Sequence, residues 1–209
     1  MHLLLTDRLT CPRCGPSFGL VLLASGLDDR VVREGRLGCP NCRDSFPIEA
    51  GFADLRSPPR GDMSPGLAGA PPAQATEDAD RLVALLGVVG GPGTVALVGE
   101  PARHASVLTA VSDEIQVVGV DADLRAWPEA PRVSRLVAAP GLPFFGSILR
   151  AVAVDGRLGA AWVAEAARVV APRGRVVVIR APEEAQDVLR TAGLSVLAAE
   201  AETVVAARG

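Results

Sequence analysis

The stretch AEAARVVAPRGRVVVIRAP, residues 164–182, contains the sequence signals that decide the fold. An alanine-rich helical segment is followed by a proline–glycine turn and then by the apolar run GRVVVI, residues 174–179. Because the apolar residues of this run follow one another instead of alternating with polar ones, they predict a strand that is buried on both faces. Strands of that kind belong to parallel sheets covered by helices.

Strand and helix patterns alternate in the same way from residue 76 to residue 209. The first helix, TEDADRLVALLGVVG, is predicted from an N-cap at Thr76 and from acidic residues in its first turn. Further helices are predicted at 103–111, 159–170 and 183–191, and strands at 94–98, 116–120, 136–139, 150–154, 174–179, 194–198 and 203–207. We therefore expect an α/β, Rossmann-like, mostly parallel sheet with helices on both faces and a C-terminal antiparallel hairpin.

The composition excludes several classes of protein. Of the 209 residues, 49% are hydrophobic and 22% charged, so the chain is expected to fold around a core rather than stay disordered. All 21 basic residues are arginine, which rules out chemistry that needs a Schiff-base or phosphate-loop lysine. A net charge of −3 argues against an extensive nucleic-acid surface. No apolar run is long enough for a membrane span, and the absence of signal-peptide features predicts a cytoplasmic protein.

The cysteines form two C-x-x-C motifs, CPRC and CPNC, separated by 24 residues. This spacing lets both sulfurs of a tight turn point at one metal, and two such turns complete a tetrahedral site formed by Cys11, Cys14, Cys39 and Cys42. We expect a structural Zn²⁺ with no open position for catalysis, and iron is the alternative with the same geometry. Disulfide or redox use is not favoured, because nothing marks the chain as secreted and redox exchange does not need two matched pairs.

Residues 57–75, SPPRGDMSPGLAGAPPAQA, separate the cysteine-bearing part from the α/β part. The segment is rich in proline, glycine, alanine and serine and has no hydrophobic period, which predicts a mobile linker. An ordered loop that lies along the next domain is the alternative. The expected organisation is a zinc ribbon at 1–56, a linker at 57–75 and an α/β domain at 76–209.

The N-terminal part resembles a known family. Between the cysteine motifs, residues 18–25 and 31–37 predict the strands of a hairpin, and after the second motif the sequence continues as RDSFPIEAGFADLR, residues 43–56. A CPxC motif, then CPxCR, FPI, a glycine and a DLR ending resemble the small zinc-ribbon proteins that bind and activate tRNA, rRNA and release-factor methyltransferases. They resemble equally the ribbon fused ahead of many bacterial methyltransferases. The resemblance implies a ribbon that docks on a methyltransferase domain.

The α/β part resembles class I S-adenosylmethionine-dependent methyltransferases over residues 76–209. Residues 164–182 are similar to the family's helix–turn–strand that ends in RVLKPGGRLVV, and LPFFGS, residues 142–147, is similar to its LPF…GSFD stretch. VVGVDAD, residues 117–123, is similar to the family's second strand, whose terminal carboxylate binds the cofactor ribose. The resemblance implies S-adenosylmethionine as the cofactor and Asp121 as its ribose ligand.

The chain departs from that family in the loop that should wrap the cofactor. In VALVGEPARHA, residues 95–105, the positions of the family's acid and three glycines hold Leu97, Gly99, Pro101 and Arg103. Gly99 survives, and its backbone would face the methionine part of the cofactor. Proline removes an N–H and fixes φ, and arginine places a long side chain where the cofactor would lie. The acid expected near Leu149 is also missing, and no catalytic residue is assigned.

Several side chains near this loop have ordinary structural interpretations. Asp121 can simply cap a turn at its strand end, and Asp155 with the following glycine predicts a turn rather than a catalytic acid. Glu100 lies close to the lost acid in sequence and could replace it. His104 is expected on a helix surface, and the two tryptophans are expected to pack.

Two functions are open at this point. The preferred one is an interaction protein, whose methyltransferase-like domain has lost catalysis and binds S-adenosylmethionine poorly. Its expected partners are proteins, either a methyltransferase or a translation-related protein, or a second copy of the chain. The alternative is an active methyltransferase for RNA, protein or a small molecule, with the ribbon as a built-in activator. An RNA-binding ribbon is not favoured, although a local basic face could form from Arg8, Arg13, Arg33, Arg36 and Arg43.

Overall fold

The computed structural model describes residues 1–71 and 77–209. The helices in those ranges are α1 (Glu77–Leu86), α2 (Ala105–Val111), α3 (Ala160–Val169) and α4 (Ala185–Thr191). The strands of the N-terminal part are β1 (Thr10–Cys11), β2 (Gly15–Gly19), β3 (Val21–Asp28), β4 (Val31–Gly38), β5 (Ser45–Glu49) and β6 (Phe52–Arg56). The later strands are β7 (Gly93–Val98), β8 (Ile115–Val120), β9 (Val133–Ala139), β10 (Leu149–Asp155), β11 (Val170–Ile179), β12 (Leu194–Glu200) and β13 (Thr203–Arg208). The N-cap predicted at Thr76 lies outside the described residues.

One sheet of 11 strands extends through most of the described chain, in the order β12-β13-β11-β10-β7-β8-β9-β6-β5-β4-β3. Strands β7 to β11 pair in parallel, and β12 and β13 close the sheet as an antiparallel hairpin. The predicted α/β class with its C-terminal hairpin is therefore confirmed. Chain order reverses between β7 and β10, and open α/β sheets bind ligands at the carboxyl ends of strands beside such a reversal.

Apolar side chains on the two faces of the sheet form separate packed layers. Ala96 and Val98 of β7 belong to the layer that contains residues of α3 and α4. The intervening Val95 and Leu97 belong to the layer that contains residues of α1 and α2. Because both layers are buried, the strands are apolar at consecutive positions, and the prediction of helices on both faces is confirmed.

The N-terminal part joins this sheet through β6, which pairs in parallel with β9 from Phe52 opposite Arg135 onward. Strands β3, β4, β5 and β6 are antiparallel to one another and extend the sheet beyond that edge. Arg135 is 5% exposed, and its Nη2 donates to the carbonyl of Ala50 at 2.7 Å. The cysteine-bearing part is therefore docked on the α/β part of the same chain, a relation that the sequence left open.

Several predicted boundaries differ from the structure. The strand predicted at 18–25 is divided at Leu20 between β2 and β3, and the strand predicted at 174–179 begins at Val170. The helix predicted at 103–111 is α-helical only from Ala105, and a 3-10 helix, Glu100–His104, precedes it. The strand predicted at 136–139 begins earlier, at Val133. Among the described residues, no helix has both the length and the apolar character needed to cross a lipid bilayer.

Candidate metal centre and cofactor crevice

Four thiols converge in the N-terminal part. The Sγ atoms of Cys11, Cys14, Cys39 and Cys42 all lie within 4.8 Å of one another. The Sγ atoms of Cys11 and Cys42 are 3.7 Å apart, and those of Cys14 and Cys39 are 3.8 Å apart. A tetrahedral site with Zn–S bonds of about 2.3 Å has sulfur–sulfur edges of about 3.8 Å. The thiols are free of disulfides, and their spacing fits a tetrahedrally bound metal ion.

The backbone around the cysteines orients the thiols. Gly15 and Arg43 directly follow the two C-x-x-C turns, and they have positive φ angles of 87° and 65°. The amide of Cys14 donates to Sγ of Cys11 at 3.4 Å, and Nδ2 of Asn41 donates to Sγ of Cys14 at 3.3 Å. Donors of this kind favour the thiolate, which is the form that binds metals.

The second candidate site lies where β7 and β8 end. Gly99 and Asp121 directly follow these neighbouring strands, and the amide of Gly99 donates to the carbonyl of Val120 at 3.0 Å. Gly99 has a φ of 73°, and a Cβ there would lie 2.8 Å from Cβ of Asp155. The fold itself therefore requires glycine at position 99, with or without a cofactor.

The loop after Gly99 is a compact 3-10 helix, Glu100–His104. Pro101 is buried in it, and Leu97, at the position of the family's acid, is fully buried in the sheet. Arg103 lines a cavity of about 660 Å³ bounded by α1 and by the ends of β11 and β13. Leu97 and Pro101 are therefore buried in the protein core, whereas Arg103 faces this cavity.

The acidic side chains beside the loop are engaged by arginines. Asp155 is fully buried, and its Oδ2 accepts from Nη2 of Arg157 at 2.6 Å while its Oδ1 accepts from Nε at 3.0 Å. Asp155 Oδ1 also accepts the Arg157 amide, so it caps a turn. Glu100 forms ion pairs with Arg103, Arg157 and Arg180. Both acids therefore have guanidinium partners within the chain.

Residues 63–71 lie across Asp121. The amide of Leu67 donates to Oδ2 of Asp121 at 2.8 Å, and the amide of Asp123 donates to Oδ1 at 2.9 Å. The amides of Gly66 and Gly69 donate to the two carboxylate oxygens of Asp123 at 2.9 and 2.8 Å. The described end of the segment after β6 therefore lies along the α/β part, which was the alternative to a mobile linker.

Sequence reasoning missed two residues of this arrangement. Asp123 was not singled out, although it lies two positions from Asp121 and receives two amides of the segment. Trp127 packs against the apolar layer that contains residues of α1 and α2, as expected, and in addition its Nε1 donates to the carbonyl of Gly69 at 3.0 Å. The available signal was a pair of acids and a tryptophan in DADLRAW, residues 121–127, in a chain with a glycine-rich segment nearby in sequence.

The 660 Å³ cavity beside the loop carries balanced charge. Its charged lining consists of Arg81, Arg103, Arg180, Asp78, Glu100 and Glu202. His104 also lines it, and burial, assisted by the nearby Arg103 charge, lowers the pKa of this imidazole below 6.5. With three cationic and three anionic side chains, the cavity has no marked preference for an anion.

No protein-family model matches the sequence, and no curated protein matches it. Among solved structures, a precorrin-6y C5,15-methyltransferase from Geobacter metallireducens is similar, with 13% identity, a TM-score of 0.51 and coverage of 69% of this chain and 94% of that one. A chain of the complex between the Haloferax volcanii Trm112 methyltransferase activator and a candidate methyltransferase is 20% identical, with a TM-score of 0.47 and coverage of 57% and 69%. A geranyl diphosphate methyltransferase in complex with S-adenosylmethionine is 15% identical, with a TM-score of 0.45 and coverage of 58% and 65%. At these identities the likeness is one of fold, and the expected Rossmann-like methyltransferase fold is confirmed at that level.

Proposed function

We propose that this chain is an interaction protein, built from a zinc ribbon at 1–56, a connecting segment at 57–75 and a class I methyltransferase-like domain at 76–209 that no longer transfers methyl groups. One observation carries the proposal. Asp121, the residue expected to bind the ribose of the cofactor, accepts hydrogen bonds from the amides of Leu67 and Asp123. S-adenosylmethionine would have to displace residues 63–71 before its ribose reached this carboxylate.

The loop after β7 supports the same conclusion. Pro101 offers no N–H to a ligand, and it is buried within the 3-10 helix that replaces an open glycine turn. Asp155 and Glu100 already have guanidinium partners, so neither is a good acceptor for the amino group of a methionine-like ligand. Breaking such charge-assisted pairs would offset part of any binding free energy.

We propose Zn²⁺ as the metal of the ribbon, with a structural role. Thiolate is a soft ligand, and a tetrahedral set of four favours Zn²⁺ over harder cations. With every ligand supplied by the protein, no position remains for a reactive water. Cys14 and Cys39 bracket β2, β3 and β4, so the metal would hold together both ends of the hairpin that leads to β5 and β6.

We propose that the partner is a protein: a methyltransferase, a translation-related protein or a second copy of the chain. We also propose a cytoplasmic location. The edge of the ribbon at β6 is already paired with β9 of the same chain. The opposite edge is β3, the last strand of the sheet, where Val21, Leu23 and Leu27 are 54%, 51% and 56% exposed. Uncovered edge strands with aliphatic side chains favour association with other chains, and this feature supports a protein partner over a nucleic acid.

An active methyltransferase with a built-in activator is the second candidate. It is favoured by Asp121, which lies at the end of β8 beside the turn at Gly99, and by the ribbon docked on the same chain. In that case residues 63–71 would leave the crevice, and the chain would orient the sulfonium methyl for in-line displacement by RNA, protein or a small molecule.

Calorimetric titration of the full chain with S-adenosylmethionine and S-adenosylhomocysteine tests the proposal. An established class I methyltransferase in the same buffer serves as the positive control. We expect no saturable heat for this chain at ligand concentrations up to about 1 mM, which corresponds to a binding free energy weaker than about −4 kcal/mol. A micromolar dissociation constant for either ligand would instead support the active enzyme.

A further inference from the structure

We propose that the crevice at the carboxyl ends of β7 and β8 is a peptide-binding site, and that residues 63–71, MSPGLAGAP, are its resident ligand. The proposal deepens the proposed function, because a crevice that holds a peptide replaces one that holds a cofactor. The class of ligand is a peptide with glycine, leucine, alanine and glycine in succession, bent at the leucine and the alanine.

The peptide backbone is recognised by a pair of carboxylates. Asp121 and Asp123 together accept the amides of Gly66, Leu67 and Gly69 at 2.8 to 2.9 Å. Asp121 is 7% exposed, and its two carboxylate oxygens accept the amides of Leu67 and Asp123. Hydrogen bonds from amides to carboxylates are stronger than those between neutral groups. Because the donors are backbone amides, a peptide can supply all three.

Side chains select the sequence of the peptide. A Cβ at Gly66 would overlap the Asp121 carboxylate, so glycine is required there. Leu67 reaches to within 3.5 Å of where a Cβ on Gly99 would lie, and so covers the turn after β7. Ala68 is 2% exposed and packs in the same apolar layer as α1 and α2. At the C-terminal end of these contacts, Nε1 of Trp127 donates to the carbonyl of Gly69.

The residues that precede the segment, 57–62, are hydrogen-bonded to the ribbon. Nη1 of Arg56 donates to the carbonyls of Arg60 and Asp62, both at 3.1 Å. Nη2 of Arg60 donates to the carbonyl of Ser45, and its guanidinium lies 5.1 Å from the ring centroid of Phe46. Tethering of this kind raises the effective concentration of the peptide at the crevice. The resident segment is therefore expected to outcompete free peptides of the same sequence.

Amide hydrogen exchange of the full chain, followed residue by residue by NMR, tests the inference. We expect the amides of Leu67 and Gly69 to exchange at least tenfold more slowly than in a free peptide of residues 63–71. Gly66→Ala should remove that protection, whereas Ser64→Ala, a change at an exposed hydroxyl in the same segment, should leave it intact. Exchange of these amides in the wild-type chain at free-peptide rates would overturn the inference, and that measurement needs no variant.

A second measurement tests ligand selection. The Gly66→Ala chain is titrated with the peptide MSPGLAGAP and with its matched control MSPALAGAP, and Trp127 is followed by NMR. We expect the glycine peptide to bind at least tenfold more tightly, and equal binding of the two peptides would contradict the site. Failure of the proposed function has a different signature, because S-adenosylhomocysteine would then bind the wild-type chain whatever the exchange rates of residues 66–69.

Discussion

The amide of Leu67 donates a hydrogen bond of 2.8 Å to Oδ2 of Asp121, which joins the segment after the ribbon to the end of β8. Asp121 is the one retained acidic residue that the family resemblance assigns to a cofactor. Through Leu67, the glycine-rich segment contacts both Asp121 and the turn at Gly99, which precedes the altered loop after β7. The two features are far apart in the sequence. The proposed interaction role accounts for this contact within a methyltransferase-like fold.

The first prediction concerns the carboxylate pair. Asp123→Ala removes the acceptor of two segment amides, those of Gly66 and Gly69. We expect the free energy of unfolding to fall by about 1–3 kcal/mol, because the amides lose a charged partner. Urea unfolding at pH 7 measures it. The matched control is Asp187→Ala in α4, whose side chain is 85% exposed and paired with Arg190; it should change stability by no more than about 1 kcal/mol. Equal effects of the two substitutions would contradict a stabilising role of the Asp123 carboxylate in binding residues 66–69.

The second prediction concerns the turns that follow the cysteine motifs. Gly15 and Arg43 both have positive φ, which glycine adopts freely and other residues adopt at a cost of about 1 kcal/mol. Gly15→Ala should therefore lower the free energy of unfolding by about that amount, although a Cβ would meet nothing within 4 Å. Arg43→Gly should not destabilise the metal-loaded chain. Thermal unfolding of the two variants beside the wild type compares them, and a stabilising Gly15→Ala would refute the argument from φ.

The third prediction concerns the metal. The four thiols should bind one Zn²⁺ per chain, measured by elemental analysis of protein purified without chelator. Cys39→Ser should reduce the bound zinc and lower the unfolding temperature, because the metal contributes folding free energy. Arg13→Ala, which breaks an exposed ion pair with Asp44 next to the site, should leave the metal content unchanged. Iron in place of zinc, or no metal at all, would contradict the zinc assignment.

The fourth prediction concerns pH. Burial is the main cause that lowers the pKa of His104 below 6.5, the Arg103 charge adds to it, and the Asp78 charge has a smaller effect in the opposite direction. The unfolded chain therefore takes up a proton at His104 more readily than the folded chain as the pH falls through 6.5. The contribution of His104 to stability is complete above that pH and is lost below it. His104→Gln should flatten the dependence of unfolding free energy on pH between about 7 and 5, measured by urea titrations. An unchanged slope would show that His104 keeps its ordinary pKa.

Much of the sheet could be predicted because its strands carry a strong local signal. The runs around Val95–Val98 and Val176–Val178 are apolar at consecutive positions since both faces of the sheet are covered. The hairpin of β12 and β13 followed from two apolar segments separated by a short turn. By contrast, β5 and β6 were not predicted as strands, because they are short and joined by a turn at Ala50 and Gly51, both with positive φ.

The site was predictable only where its residues are close in sequence or share a motif. The spacing of each C-x-x-C motif brings two thiols together at one turn, so the thiol cluster could be predicted from the sequence. The contact of Leu67 with Asp121 joins residues 54 positions apart and has no motif. Residues 63–71 have no apolar period. They are held by hydrogen bonds from backbone amides to carboxylates, and no sequence pattern predicts such bonds. The parallel pairing of β6 with β9 also joins residues far apart in sequence without a motif, so it could not be predicted.

Titration of the isotope-labelled full chain with S-adenosylhomocysteine, followed by amide NMR, tests the central claim most directly. The claim is that residues 63–71 keep the cofactor out of the crevice. We predict that the amide signals of Leu67, Gly99 and Asp121 stay in place up to about 1 mM ligand, a concentration far above the dissociation constants of tight complexes. Saturable shifts of those signals at micromolar ligand, with loss of the Leu67 hydrogen bond, would contradict the account.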